Sequence, residues 1–208
     1  MAEPSPKALS PIPVAGPVTV VEGWEVASRR SAAALTAMDC TPALKVLVRA
    51  PAGGGVAAWL GVSFGRARRQ DGVLVAGSGP GEWMLLASPA AAQGLVARAR
   101  AEAGSDGLVT VLAVTHGRAL VRLSGDGSPY VLAKLCAVDL GDGMTPNGAV
   151  FRSSVAAVVA DVIRDDRESR RSYLLGCERS FGAYLFGSLL DAGAELDLDT
   201  EGFDPSHL

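Results

Sequence analysis

VLVAGSGPGEWMLLASPAAAQGLVARARAEAGSDGLVTVLAV, residues 73–114, carries the pattern on which the fold turns. Two apolar runs, Val73–Ala76 and Glu82–Ala87, flank Gly77-Ser78-Gly79-Pro80-Gly81, residues that permit tight reversal, and so predict a β-hairpin. Ser88 then stands where a helix N-cap would, with Pro89 at the first helical position. Leu95, Val96, Ala99 and Ala103 keep one apolar face until Gly104 ends the helix. Leu108–Val114 follows as a strand. Strand, helix and strand in this span form a split crossover unit. A hairpin beside a crossover demands an antiparallel or mixed sheet, not a doubly wound parallel one.

Downstream the order recurs. Strand Gly117–Leu123 leads to a helix from about Gly127 to Ala137, capped by Ser124 or Asp126, and a Gly/Asp/Pro-rich loop runs through Gly148. The long run Ser153–Arg164 and strand Ser172–Cys177 come next. A helix then places Phe181, Tyr184, Leu185, Ser188 and Leu189 at helical spacing, and Glu195–Asp199 reads as a last strand. Upstream, Val18–Val21, Glu25–Ser28 and Ala43–Ala50 read as strands, the last closed by Pro51. VAAWLGVSFG from Val56 reads as a short apolar helix, and Arg66–Gly72 behind it as a charged turn. The expected fold class is α+β, with ferredoxin-like split βαβ halves over about 18–114 and 115–203 of one globular domain, 18–203. Residues 1–17 hold five of the twelve prolines and read as a flexible arm; residues 204–208 read as a tail.

Composition sets the frame. With 208 residues, 49% hydrophobic and 20% charged, the chain can bury a core without disulfides or metal, which excludes wholesale disorder. Nineteen basic against 22 acidic residues give a net charge of -3, so the broad positive field of a nucleic-acid binder is absent. The longest stretch without a formal charge, Ala50–Gly65, is 16 residues and contains Pro51 and three consecutive glycines, too short and too broken to span a bilayer. The N-terminus offers no continuous apolar signal segment, and the expected location is cytoplasmic. Cys40, Cys136 and Cys177 are widely spaced without a CxxC, and read as small buried hydrophobes instead of a disulfide framework or zinc cluster.

The sharpest catalytic motif is Gly61-Val62-Ser63-Phe64-Gly65, a GxSxG match that would make Ser63 the nucleophile of a small serine hydrolase, with His116 and Asp71 or Asp106. An elbow of that kind follows a buried strand and opens a packed helix, whereas Pro51 and Gly53–Gly55 precede this one and a charged turn follows, so the hydrolase reading is a remote one. His116 is the sole histidine inside the folded part, which excludes a multi-histidine metal site; it reads as holding the turn between two strands through backbone hydrogen bonds. Gly77–Gly81 resembles a phosphate loop in composition alone, since it lacks the lysine and leads into a strand. Arg66, Arg68 and Arg69, and the mixed-charge link Arg164–Arg171, read as solvated turns, and the adjacent Asp165 and Asp166 diverge too much to work as an acid/base pair.

From about Gly79 to Phe203 the chain resembles the gamma subunit of heterotetrameric sarcosine oxidase. The resemblance rests on Gly79–Ala87 (GPGEWMLLA), Thr115–Gly125 (THGRALVRLSG), Leu132–Leu140 (LAKLCAVDL), Pro146–Asp166 (PNGAVFRSSVAAVVADVIRDD), Arg171–Leu196 (RSYLLGCERSFGAYLFGSLLDAGAEL) and Gly202-Phe203. It implies a non-catalytic subunit with a fold similar to the folate-binding domain of the aminomethyltransferase group. It further implies alpha, beta and delta subunits as partners, alpha being the direct contact. The whole complex would convert sarcosine to glycine, with hydrogen peroxide and 5,10-methylenetetrahydrofolate as further products. FAD, FMN, NAD and zinc would then belong to the other subunits and tetrahydrofolate to the complex, leaving this chain without a cofactor. A free-standing tetrahydrofolate-binding protein is the alternative that the fold kinship suggests. Trp59, Trp83 and Phe203 suit either a core or an interface. The partner surface is expected at His116-Gly117-Arg118 and at the loop with Pro146, Asn147 and Arg152, polar text beside strongly patterned strands.

Overall fold

The structure, a computed structural model, describes residues 7–104 and 107–208. Residues 1–6 of the expected arm, and Asp106, lie outside the described residues. Among the described residues no helix is long and apolar enough to cross a membrane.

The described chain folds through β1 (Ala8–Leu9), β2 (Val18–Val21), β3 (Trp24–Ala27), β4 (Thr36–Asp39), β5 (Leu44–Arg49), α1 (Gly55–Leu60), β6 (Ala67–Gln70), β7 (Val73–Gly79), β8 (Glu82–Ala87), α2 (Ala92–Glu102) and β9 (Thr110–Ala113). It continues through β10 (Arg118–Ser124), α3 (Ser128–Ala133), β11 (Val150–Val155), β12 (Val158–Arg164), β13 (Ser172–Glu178), α4 (Gly182–Gly193) and β14 (Asp199–Glu201). One sheet has the order β6-β7-β8-β5-β9, the other β11-β12-β13-β10-β4-β14, and a small third sheet is β1-β3-β2. The expected recurrence is present: β5-α1-β6-β7-β8-α2-β9 and β10-α3-β11-β12-β13-α4-β14 place equivalent strands in the same spatial order, each with an extra strand at one edge. The second half differs by accepting β4, from the N-terminal part of the chain, between β10 and β14. β4 runs antiparallel to β10 and parallel to β14.

Strand alternation builds four layers. Val75, Leu85 and Val46 face α1 and α2, while Leu74, Met84 and Leu86 face the six-stranded sheet. On that sheet Leu120, Ile163 and Leu174 face back, and Val121, Val162, Tyr173 and Leu175 lie under α3 and α4. Both sheets are thus covered on both faces, which explains their near-continuous apolar runs. Helix α4 lands through Leu185, Phe186 and Leu189, each at most 1% exposed, a burial worth about 1.5–3 kcal/mol per side chain. Gly182 permits the approach, since a Cβ there would come within 2.7 Å of the Ala119 Cβ.

Several expectations are corrected. Arg66–Gly72 is not merely a turn, because Ala67–Gln70 pairs with β7 as an edge strand. The hairpin reverses at Pro80-Gly81, the glycines before it being drawn into β7. Ser153–Arg164 is a second hairpin, hidden because its two-residue turn is Ala156-Ala157, held at φ of 49° and 63° without glycine. Helix α3 is shorter than expected and has no side-chain cap from Ser124 or Asp126. Leu185 and Leu189 of α4 are buried as expected, whereas Tyr184 and Phe181, the latter in the 3-10 turn before the helix, are exposed and Phe186 is buried in their place. Ala194–Leu196 is a 3-10 turn, and the last strand begins only at Asp199. The arm is docked from Lys7 onward: Ala8-Leu9 pairs with β3, and Ile12 is 5% exposed in the core beneath the six-stranded sheet. The tail is docked as well, Phe203 being core and Pro205–His207 a 3-10 turn tied down by Arg167. The three cysteines are buried and free, and burial pushes the Cys40 thiol up to about 12 and the Cys177 thiol up to about 11.

The passage between the two sheets is pinned by one buried cation. Lys45 of β5, 1% exposed, donates from Nζ to the Thr41 and Ala43 carbonyls at 2.7 and 2.8 Å, across the Cys40–Ala43 link from β4. Burial, outweighing the attraction of Asp39, brings its ammonium pKa down to about 7.

Two outcomes follow from these features. Replacing Ala156-Ala157 by Asn-Gly should stabilise the fold by about 1 kcal/mol and raise Tm by about 2–4 °C in calorimetry, because glycine and asparagine accept left-handed backbone more readily than alanine. Between pH 7 and 10.5 the unfolded chain binds a proton at Lys45 that the folded chain does not hold, so unfolding free energy should rise with pH across that window. The contribution is at most about 1.4 kcal/mol per pH unit, and denaturant titrations of Lys45→Met should show that part of the slope gone.

Candidate functional site

Thr115–Gly117 forms a 3-10 turn where the chain passes from β9 to β10, returning from one sheet to the other. The turn is held by the Gly117 N–H donating to Val114 O at 3.1 Å and by Thr115 Oγ1 accepting the Lys45 N–H at 3.1 Å. The backbone role expected of His116 therefore falls to its neighbours. The exposed imidazole of His116 stacks on the buried indole of Trp24, centroids 4.9 Å apart and planes 6° from parallel. The Arg179 guanidinium also lies over that indole, 5.9 Å from its centroid.

Arg118 and Arg152, distant in sequence, converge on one carboxylate. Asp161 is 7% exposed, and its Oδ2 accepts from Arg118 Nη2 at 2.7 Å while its Oδ1 accepts from Arg152 Nε at 2.6 Å. Arg118 also reaches Glu178 at 3.1 Å. Arg152 reaches Glu82 at 3.1 Å, and Glu82 takes Arg49 at 2.8 Å. The chain of charges thus runs from the six-stranded sheet across to β8 of the five-stranded one. The hydrogen bond to Asp161 holds the Arg152 pKa above the usual arginine value. Burial pushes Glu82 up, but Arg49 and Arg152 prevail and leave it below the usual carboxylate range.

Pro146 and Asn147 belong to a different cluster. Asn147 Oδ1 accepts the Asp166 N–H at 3.0 Å, and Arg164, 6% exposed, donates to Asp142 at 2.5 Å, to Thr145 O at 2.6 Å and to Asp166 at 2.9 Å. The Arg164–Arg171 link is therefore no solvated turn at its start: Arg164 and Asp165 are buried. Asp165 accepts a forked pair from Arg69, at 2.9 and 2.6 Å, and a third bond from Arg122 at 2.7 Å.

The hydrolase geometry is not formed. Ser63 comes after α1 and before β6, the reverse of the strand-to-helix order that an elbow requires. Asp71 is exposed beside Arg98 at 3.8 Å, while His116 is engaged with Trp24. Trp83 and Phe203 are core residues, and the Trp83 indole N–H donates to Val62 O at 2.7 Å. Among the described residues no group of three or more His, Cys, Asp or Glu could hold a metal ion.

The residue that sequence reasoning passed over is Arg122. It sits in the middle of the apolar strand RALVRLS and is 2% exposed. A charge inside a strand covered on both faces needs partners or a ligand, and that was the available signal. Arg122 lines a polar cleft of about 170 Å³ with Thr36, Ser124, Ser172, Arg167 and Arg170.

Comparison with known proteins places this geometry. No curated protein sequence matches the chain. Among solved structures, a chain of the heterotetrameric sarcosine oxidase of Corynebacterium sp. U-96 superposes with a TM-score of 0.68 at 23% identity, over 77% of this chain and 84% of that one. The glycine cleavage system aminomethyltransferase T of Bartonella henselae gives 0.69 at 15% identity, over 90% of this chain and 56% of that one. Both likenesses are of fold, and they bear out the α+β reading and its similarity to the aminomethyltransferase fold. Residues 69–195, more than half of the chain, match the model of the sarcosine oxidase, gamma subunit family, and the chain belongs to that family.

Proposed function

We propose that this chain is the non-catalytic gamma subunit of a heterotetrameric, cytoplasmic sarcosine oxidase, docked on the alpha subunit beside beta and delta. The family match over residues 69–195 carries the reading. In it, the other subunits hold FAD, FMN, NAD and zinc and oxidise sarcosine to glycine, forming hydrogen peroxide and, with tetrahydrofolate, 5,10-methylenetetrahydrofolate. The polar surface at His116, Gly117, Arg118 and Arg152, together with the separate loop that carries Pro146 and Asn147, is the proposed contact with alpha. His116, Gly117, Asn147 and Arg152 are exposed in the chain taken alone. Arg118 acts there by fixing Asp161 and through it Arg152, a positioning role.

Mild affinity purification of the full chain from its native cell, followed by intact mass and an absorbance spectrum, tests the reading. Three further subunits and a flavin spectrum are expected. A colourless, solitary chain would overturn the assignment, and saturable tetrahydrofolate binding by that solitary chain would replace it with a free-standing folate protein. For the contact surface, the triple variant His116→Ala/Asn147→Ala/Arg152→Ala should lower recovery of alpha at least about tenfold. Full stoichiometry in that variant would remove these residues from the interface while leaving the subunit assignment standing.

A further inference from the structure

The cleft beside Arg122 has a floor made by strand register. Thr36, Ser124 and Ser172 stand opposite one another across β4, β10 and β13, and Met38 and Arg122 form the next row on the same face. Glu201 of β14, in register with Met38, closes one side, and Arg167 and Arg170 close the other. None of the lining residues comes from the five-stranded sheet.

Charge pairing here is incomplete. Arg122 Nη2 shares Asp165 with Arg69, and its Nη1 donates to Ser172 Oγ at 2.7 Å and Asp165 O at 3.2 Å. Its Nε–H is buried and has no partner among the described residues. Arg167 donates to the backbone oxygens of Ser206 and Leu208, and Arg170 to those of Ala33 and Ala34. Among the described residues neither guanidinium pairs with a side-chain carboxylate, although Glu168 and Glu201 line the same cleft. Burial and the like charges of Arg69 and Arg122 outweigh the attraction of Asp165 and Glu168 and hold Arg167 below the usual arginine value.

We propose that this cleft binds a small carboxylate that also carries a hydrogen-bond donor, an amino acid or hydroxy acid. The carboxylate is held on the arginine side and the donor faces Glu201. Planar guanidiniums match a carboxylate in two places at once. A phosphate dianion is disfavoured by Glu168 and Glu201, which both line the cleft, and about 170 Å³ is small against the ~300–1,000 Å³ of sites for larger ligands. The site shares no lining residue with the contact surface proposed above and does not depend on it.

The test is a titration of the full chain, labelled at arginine Nε, with glycine, glycolate, acetate, methylamine and inorganic phosphate, followed by NMR. Glycine and glycolate should shift the Arg122 Nε–H saturably with a Kd of about 1 mM or below. Acetate should bind more weakly and methylamine not at all. Arg170→Gln, an exposed substitution whose present bonds go to backbone alone, should weaken both acids about tenfold. Glu201→Gln can still accept the Ser31 N–H, and should weaken glycine but not acetate. Shifts that stay linear to about 100 mM, phosphate binding tighter than glycolate, or glycine binding unchanged in both variants would each overturn the proposal.

Discussion

Two sheets, each buried on both faces, impose the constraint that orders the rest of this molecule. A residue of an inner strand must then enter one apolar layer or another, so a polar side chain is tolerated there only where a strand ends or a partner is fixed. The chain must also cross from one sheet to the other, twice. Cys40–Ala43 leads from β4 to β5, and Val114–Gly117 leads back from β9 to β10. The two crossings hold each other. Leu120 N–H donates to Thr41 Oγ1, Cys40 N–H to Leu120 O, Val114 N–H to Lys45 O, and Lys45 N–H to Thr115 Oγ1. Lys45 is costly to bury, yet its ammonium is the group that can gather the carbonyls of the first crossing, which no ladder pairs.

What was legible in the sequence followed from strong local signals. Gly77–Gly81 and the Ser88-Pro89 start announced a hairpin and a helix, and both stand with shifted ends. The recurrence of order in the second half was legible for the same reason. What escaped were elements whose formation is decided elsewhere in the chain. β4 is four residues with no turn signal, and exists because β10 and β14 present edges on either side of it. β6 is ARRQ, unattractive as a strand, but its edge position keeps the arginines at a rim where Arg69 finds Asp165. The Ala156-Ala157 turn carries no glycine or asparagine, so the hairpin it closes read as one run. In α4 Leu185 and Leu189 were placed correctly on the buried face, but Phe181 and Tyr184, which are exposed, were taken in place of Phe186, which is buried.

The candidate site was legible in part for an instructive reason. Polar text beside patterned strands located Arg118 and Arg152, yet no local pattern shows that both reach Asp161, because that contact is made across three strands. Their mutual orientation means that Arg152 presents its remaining donors from a fixed position, half exposed, which is how a scaffold lends a flexible side chain to a surface. By contrast the Arg164–Arg171 link read as solvent-facing because it mixes charges of both signs. Mixed charge is equally what a buried network requires, and only the location of the five acceptors and donors around Arg164 and Asp165 separates the two cases.

The internal repeat explains where such networks fall. The two extra edge strands, β6 and β11, are equivalent in the halves, and they meet: Ala67 N–H donates to Gly148 O at 2.7 Å and Val150 N–H to Gly65 O at 3.0 Å. The starts of the two like edges are thereby bridged, while β6 and β11 remain the edge strands of their own sheets. Joining the sheets along that side leaves the far side of the six-stranded sheet, where β4 has been inserted, without an equivalent in the five-stranded one. The extra strand widens the sheet past its partner, and the cleft at Arg122 lies there, walled by β4, β10 and β14 and by none of the five-stranded sheet. A half-matched repeat thus creates a polar recess beside a packed interior, and the buried arginine marks the row where apolar cover runs out.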